Sequence, residues 1–581
     1  MRTITEKSLM GRAWIKGAEH SKQSTDGNDI VLNVLANRGI TDPIDIQKFL
    51  NPSVHGQMPD PFVLKDMDAA VRGFADAVVA DRKIAIFGDY DVDGITSTAI
   101  FVKYLRGIGR DPLWYLPSRD GDGYGLNTGA IEKLAASGAN VLISVDCGIS
   151  GVREVARAKE LGLAVIITDH HSPDSILPAA DAIVNPKRND DESGLDYLAG
   201  VGVAYLFLVA LNRELRTRGF FSEKDEPKLL DYLDLVALGT ICDTMPLVGL
   251  NRAFVVTGLK VLGSQKNLGL KTLMQVADAK KASAYVAGFV IGPRLNAAGR
   301  LDSANPALEL LLTDNPGTAG FLAKQLDDMN RERKDIEQRI LVRATEMAEQ
   351  CRADGRCCVF VAGENWHGGV MGIIAGRLKD KFYMPTMIAT KSDGIINGSG
   401  RSVPGIDIGR IIHDALGAGI LSEGGGHSAA AGFSLLCERE DEFREFLECA
   451  VKQQLNGAEL CPIITADAEI DAGAADMKLV EEMSRLAPFG QGNPEPTLVL
   501  NGGELLYATS MGNGEHLRGN LRTSAGTNLA FVGFNMTKTP VGEFLLDDTN
   551  SGRKIMLCGK LKENDFNGRV TAQFVVEDAA I

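Results

Sequence analysis

"IFGDYDVDGIT", Ile86 to Thr96, sets three aspartates at alternating positions directly behind a short apolar run. The spacing D-x-D-x-D-G also opens a calcium-binding helix-loop-helix, which needs a bidentate glutamate at its twelfth position. Counted from Asp89 the twelfth residue is Ile100, and "KIAIFG" ahead of Asp89 has the pattern of a strand rather than a helix. The calcium loop is excluded on both counts, which leaves a solvated acidic turn or a functional carboxylate cluster.

The same grammar returns further along the chain. "NVLISVDCG" ends an apolar run at Asp146, and "LAVIITDHHS" ends another at Asp169, His170 and His171. Helix-like stretches, "TAIFVKYLRGIG" and "GVREVARAKELG", lie between them. Apolar strands alternating with helices predict an α/β fold with a parallel sheet covered on both faces. Ligands bind such sheets beyond the carboxyl ends of the strands, so Asp91, Asp93, Asp146 and His170 can converge although they are far apart in sequence. A further carboxylate, Asp243, closes the apolar segment "LDLVALGTICDTMPL".

Singly, an aspartate after a strand is a common helix cap. Together, carboxylates brought to one place repel and raise one another's pKa values unless cations sit among them. Oxygen ligands with one imidazole suit Mn²⁺ or Mg²⁺ better than thiophilic ions. Such a cluster can hold two divalent ions ~4 Å apart, which clamp a phosphoryl group during in-line displacement. The predicted chemistry is hydrolysis of a phosphate ester or anhydride.

Composition narrows the class of protein. A chain of 581 residues with 45% hydrophobic and 24% charged side chains reads as an ordinary globular protein of several domains. The start of the chain, "MRTITEKSLMGRAWIKGAEH", lacks the apolar core of a secretory signal, and no stretch approaches the ~20 apolar residues of a membrane span, so a cytoplasmic location without membrane attachment is expected. Nine scattered cysteines form no CxxC pair and no Cys/His spacing suited to a structural zinc, so reduced thiols are expected, with Cys357 and Cys358 filling a strand. The net charge of -15 excludes coating of nucleic acid by bulk positive charge but not a local basic groove.

"DYDVDG", "SVDCG", "TDHH" and "GTICDTMPL" resemble motifs I to IV of the DHH phosphoesterase superfamily. Within it the chain is most similar to the bacterial single-strand-specific exonucleases. "DGYGLN", "IGPRLNAAGRL" and "SEGGGHSAAAGF" carry that closer likeness. The resemblance implies that Asp91 and Asp146 hold one Mn²⁺ or Mg²⁺ ion. Asp93, Asp146, His170 and Asp243 would hold the other, with Asp146 bridging and Asp89 contributing to the same cluster. His171 is assigned to the substrate phosphate or the leaving oxygen, and Cys242, where the family usually has alanine, to packing.

The second half bears on whether the substrate is a polymer or a small phosphate compound. Leu322, Leu326, Met329, Ile336, Ile340 and Met347 are spaced as one face of a long helix, whose arginines are balanced by acidic neighbours. "RCCVFVAGENWHGGVMGIIAGRL" and "MPTMIAT" follow as strand, loop, helix and strand, and resemble the DHHA1 domain that accompanies the catalytic domain. Its glycine-rich "EGGGHSAAAGF" is read as a loop where backbone N–H groups approach a phosphate. By the resemblance, Ser399, Arg401 and His427, with Arg119, Arg294 and Arg300, recognise the 5′ end of the strand. Tyr124 and Trp366 are candidates for base stacking, against the commoner role of aromatics in cores. From about Thr465, short apolar runs broken by Gly, Asn and Asp predict antiparallel strands, with an OB-fold β-barrel as the natural candidate.

The expected order is an N-terminal extension over 1–60, a parallel-sheet DHH catalytic domain over 61–313, a connecting helix over 314–352, an α/β DHHA1 domain over 353–460 and an OB-fold over 461–581. The resemblance implies a monomeric 5′ to 3′ exonuclease acting on single-stranded DNA in recombination and repair, beside single-strand-binding protein and a RecQ-type helicase. Two alternatives remain at this stage: a phosphatase for pyrophosphate or very short oligonucleotides, and a non-catalytic DNA-binding scaffold of the same ancestry.

Overall fold

The computed structural model describes residues 2–17, 27–118, 125–566 and 568–581. Contacts divide the chain into two units, Gln47–Asp335 with Pro488–Pro494, and Met1–Ile46 with Ile336–Ala487 and Glu495–Ile581. The helix Pro316–Ala353 runs unbroken through the division, as the spacing of its apolar residues predicts.

The first unit is built on a five-stranded parallel sheet in the order Leu113–Tyr115, Ile84–Gly88, Val141–Val145, Ala164–Thr168, Ala182–Val184. Both faces are apolar because side chains alternate across the pleat and both sides are covered. Ile86, Ile143, Val145 and Val184 pack with helices Met67–Val79, Val92–Gly107 and Gly200–Thr217 in one core. Phe87, Leu142, Val165 and Ile167 pack in another with helices Thr128–Ala136 and Val152–Glu160. The register pairs Gly88 with Val145, and Val145 with Thr168, which in turn pairs with Val184. The strands therefore end level, and the residue that follows each one emerges on the same edge of the sheet. The strand order reverses direction between Ile84–Gly88 and Val141–Val145, the crevice where such sheets bind ligands.

The second unit contains a five-stranded mixed sheet in the order Glu423–His427, Ala430–Leu436, Ile395–Arg401, Thr386–Ser392, Val359–Glu364. It also contains a closed barrel of Leu498–Met511, His516–Arg522, Asn528–Gly533, Arg569–Ala580 and Lys554–Phe566, the last pairing back onto the first. This closed five-stranded barrel is consistent with the OB-fold expected from the strand and turn pattern. The N-terminal strands Arg2–Thr5 and Ala13–Lys16 form a small sheet with Ile463–Ala466.

Two local readings need correction. The glycine-rich stretch near residue 425 is a hairpin, with Glu423–His427 paired along its length to Ala430–Leu436, rather than a loop. Glycine marks a turn only when nothing competes, and here the neighbouring strand supplies a complete ladder. Cys357 and Cys358 precede the strand Val359–Glu364 in a bend instead of filling it. Among the described residues no helix is long and apolar enough to cross a membrane.

Candidate metal centre

Four successive features bring charge to the crevice. Asp89 leaves the first strand and is almost wholly buried, with the Tyr90 N–H donating to its Oδ1 at 2.7 Å. Asp91 caps the helix Val92–Gly107, its Oδ1 accepting from the N–H groups of Asp93 (2.9 Å) and Gly94 (3.1 Å). Asp93, in the first turn of that helix, is fully buried and accepts from Gly200 N at 2.7 Å and Val201 N at 2.9 Å. Those two N–H groups open the helix Gly200–Thr217, whose positive end supports a carboxylate. Asp146 follows the third strand with φ of 60°, a left-handed conformation that aspartate tolerates better than most residues.

His170 is oriented by its own backbone surroundings. Its Nδ1 lies 3.1 Å from the Leu198 carbonyl, which can only accept, so Nδ1 carries the proton and Nε2 presents a lone pair. That lone pair faces Asp146 Oδ1 at 3.1 Å, Asp243 Oδ2 at 3.5 Å and Asp93 Oδ2 at 3.8 Å. Asp243 arrives from the C-terminus of the helix Leu233–Cys242. Ligand atoms of Asp89, Asp91 and Asp146 lie within 4.8 Å of one another, as do those of Asp93, His170 and Asp243. The two groups meet at the contact between Asp146 and His170.

Asp146 Oδ1, His170 Nε2 and Asp243 Oδ2 are buried without a hydrogen-bond partner among the described residues. Acceptor atoms facing acceptor atoms in a buried site are costly unless a cation or protons lie between them. Without a cation, burial and then Asp91 push Asp89 up to about 8 and Asp243 up to about 7. Asp93 and Asp146 are driven well above the carboxylate range, by burial first and then by their acidic neighbours. Burial, then the charge of His171, lowers His170 to about 3, so its imidazole is neutral and able to ligate. Oxygen donors with one neutral imidazole fit Mn²⁺ or Mg²⁺.

His171 is held differently. Its Nδ1 is 2.8 Å from Asp169 Oδ1, which also accepts from the N–H groups of His170 (2.7 Å) and His171 (3.0 Å). Ile149 N donates to the other oxygen of Asp169 at 2.9 Å. Burial alone would lower the His171 ring, but the Asp169 hydrogen bond and charge outweigh it and raise the ring to about 9. Asp169 is itself pushed up by burial, yet the His171 ring and these N–H groups hold it below its ordinary value.

The cluster depends on close backbone approach. A Cβ on Gly200 would stand 2.4 Å from Asp146 Oδ1, and one on Gly239 would stand 2.7 Å from Asp93 Oδ1. The helix Gly292–Leu301 packs on the Asp89–Val92 turn: Asn296 Oδ1 accepts from Val92 N at 3.2 Å, and a Cβ on Gly299 would meet the Tyr90 carbonyl at 2.6 Å. Asp169, Asn296, Gly200 and the Leu198 carbonyl were not singled out in sequence. Asp169, inside "TDHH", was overshadowed by the two histidines beside it, and Asn296 lay inside "IGPRLNAAGRL" without a role of its own.

The remaining candidates fall in several places. Cys242 packs its thiol 3.7 Å from the Ala287 carbonyl and against Gly292, as expected of a packing residue. Arg294 is committed to Asp327, with Nε at 3.0 Å and Nη2 at 2.9 Å, and to the Val290 carbonyl at 2.7 Å. Arg300 is half-buried beside Gly299. In the second unit, Arg401 pairs across the sheet with Ala430, which pairs with His427, so Ser399, Arg401 and His427 share one sheet face. Arg401 Nη1 donates to Ser399 Oγ at 3.0 Å. Trp366 lies over Gly363 in a core cluster, which favours packing over base stacking. Arg119 and Tyr124 lie outside the described residues.

Three family models match the chain: "DHH family, N-terminal domain" over residues 83–240, "DHHA1 domain" over 354–453 and "RecJ OB domain" over 466–578. The single-stranded-DNA-specific exonuclease RecJ of Dickeya dadantii is 36% identical over 561 residues, covering 94% of this chain and 95% of that protein. Its counterpart in Escherichia coli is 35% identical over 567 residues, covering 94% and 95%. Among solved structures, RecJ in complex with Mn²⁺ from Thermus thermophilus matches with a TM-score of 0.78 at 27% identity, covering 95% of this chain and 76% of that one.

Proposed function

The chain belongs to the RecJ family, and on that premise we propose that it is a metal-dependent exonuclease that degrades single-stranded DNA from its 5′ end, releasing 5′-mononucleotides. The observation that carries the chemistry is the convergence of Asp146, His170 and Asp243, whose buried acceptor atoms face one another without hydrogen-bond partners among the described residues. Asp89, Asp91 and Asp146 would hold one Mn²⁺ or Mg²⁺ ion, and Asp93, Asp146, His170 and Asp243 the other, Asp146 serving both. When bound, such ions neutralise the phosphodiester and make a water molecule nucleophilic near neutral pH.

The protein's own groups do the positioning. The N–H groups of Gly200 and Val201 fix Asp93, and the Leu198 carbonyl fixes the tautomer of His170, so the ligand atoms need not reorganise as the reaction proceeds. Asp169 keeps His171 protonated and oriented, and His171 donates to a phosphate oxygen or to the departing 3′ oxygen. Attack of water on phosphorus breaks the bond to that 3′ oxygen, so the shortened strand again ends in a 5′ phosphate. Ser399, Arg401 and His427, on one sheet face, supply hydroxyl, guanidinium and imidazole donors for that end. Arg119 and Arg300 complete the set of candidate phosphate contacts, with Arg294 acting through its ion pair to Asp327.

We place the protein in the cytoplasm as a monomer, working in recombination and repair beside single-strand-binding protein and a RecQ-type helicase. The deciding experiment follows a 5′-labelled single-stranded oligonucleotide with Mn²⁺, with Mg²⁺ and with chelator, beside the matching duplex and pyrophosphate. Immediate metal-dependent release of labelled mononucleotide from the single strand alone is expected. Release first from the 3′ end, or cleavage of pyrophosphate only, would overturn the reading.

A further inference from the structure

Cys357 and Cys358 are neighbours in sequence, and in an extended strand their side chains would point to opposite faces. They sit instead in the bend ahead of the strand Val359–Glu364, and both thiols reach Glu448 on the helix Glu440–Leu455. Cys358 Sγ is 3.4 Å from Glu448 Oε2, and Cys357 Sγ is 3.6 Å from the Glu448 carbonyl. Cys357 N donates to both carboxylate oxygens, at 3.1 and 3.2 Å, and so sets the plane of the group. Glu448 is 7% exposed, a carboxylate carried into an otherwise apolar core. One ligand atom from each of the three residues lies within 4.8 Å of the other two.

We propose that Cys357, Cys358 and Glu448 form a binding site for a thiophilic divalent cation of the zinc class, built from residues of which none belongs to the carboxylate cluster. Two sulfurs and one oxygen are the donor set that favours zinc over magnesium or manganese. Tetrahedral zinc, with bonds of about 2.3 Å to sulfur and about 2.1 Å to oxygen, separates those donors by ~3.6 Å. The Cys358–Glu448 distance of 3.4 Å already meets that requirement. Binding replaces two S–H bonds by two S–metal bonds and releases two protons to solvent. Cys357 is half-buried and leaves a side through which a cation and a water ligand can approach. Lys452, whose Nζ is 3.2 Å from Glu448 Oε1, is the charged group that competes for the carboxylate. Its side chain is 64% exposed and can turn into solvent when the cation takes its place. The cation would tie residues 90 apart in sequence, clamping the first strand of the mixed sheet to the helix behind it.

The test uses the full reduced chain titrated with Co²⁺, a spectroscopic substitute for zinc. Thiolate ligation produces a near-ultraviolet sulfur-to-cobalt charge-transfer band that oxygen and imidazole ligands do not, so the carboxylate cluster is silent. The expected result is a band that saturates at one equivalent of thiolate-bound cobalt, is bleached by equimolar Zn²⁺, persists in Asp146→Ala and is lost in the Cys357→Ser, Cys358→Ser double variant. Absence of the band from the parent chain, or its survival in the double variant, would overturn the proposal. Glu448→Gln should weaken cobalt binding by more than the roughly 10-fold that losing even an outer partner costs. Unchanged affinity in that variant would remove the carboxylate and with it the three-donor site. If Glu448→Gln does not fold, the serine pair still decides.

Discussion

Asp146 stands where both halves of the cluster meet, and its left-handed backbone aims its carboxylate at His170 and the acidic neighbours. Asp146→Ala should lower the rate of hydrolysis by about 10³-fold or more, the scale on which preorganised electrostatic groups act, while strand binding measured by fluorescence anisotropy remains. Near-normal turnover in that variant would contradict a shared ligand. Asp169→Asn tests a subtler role. His171 is protonated below about 9, so activity that needs its proton falls as pH rises through that value. Without the Asp169 charge, burial lowers the ring, and the alkaline limb of the kcat profile should move to lower pH with a loss of roughly 10- to 100-fold. The acidic cluster was legible in sequence because its members stand at or just past the ends of apolar runs. The function of Asp169 was not, because it depends on three N–H groups and a ring that only the folded turn delivers.

The elements matter through where they end. Four parallel strands finishing level and two helices beginning beside them put the members of each acidic group within a few ångströms, although the cluster is drawn from residues as remote in sequence as Asp89 and Asp243. The tolerance is small at the start of the helix Gly200–Thr217, where a Cβ would overlap Asp146 Oδ1 at 2.4 Å. Gly200→Ala should retain the far-ultraviolet dichroism of the parent yet lose about 10²-fold in activity, the cost of displacing a reacting group by ~1 Å. A fully active variant would show that Asp146 has room to move. The apolar runs and their order announced this sheet, whereas the short strands Leu113–Tyr115 and Ala182–Val184 were too brief to register as periodic. The hairpin at Glu423–His427 was concealed by its glycines, whose local preference for turns yields to a ladder supplied by the strand that follows directly, Ala430–Leu436.

For the whole molecule, the ends of the chain belong together. Asp578, fully buried, accepts from Ser8 Oγ at 2.6 Å, Trp14 Nε1 at 3.1 Å and Met10 N at 3.3 Å, and so ties the N-terminal strands to the last strand of the barrel. Trp14 is fully buried against Val499 and Cys558 in that core. Trp14→Ala should destabilise this part of the protein by about 3–5 kcal/mol, read as an earlier urea transition and faster proteolysis of the barrel. A transition that does not move would show the N-terminal strands to be dispensable. Pro488–Pro494 likewise belongs with the unit of the parallel sheet, where Leu247 N donates to the Gln491 carbonyl at 2.8 Å. Neither attachment was visible in the sequence, because each joins segments hundreds of residues apart, whose contacts leave no local pattern in the chain.

What the amino-acid sequence determined by itself was the order of elements, the α/β and β-barrel classes and the residue types of the metal cluster. These follow from local periodicity and from charge placed at the ends of apolar runs, quantities that a chain carries before it folds. Tertiary structure alone decided the tautomer of His170, the raised pKa of His171, the clearance at Gly200 and the turning of Cys357 and Cys358 toward Glu448. Each of these is a distance between groups that the chain alone does not set, whether they are two residues apart or ninety, and such distances exist only once burial has excluded water and the backbone has closed around them.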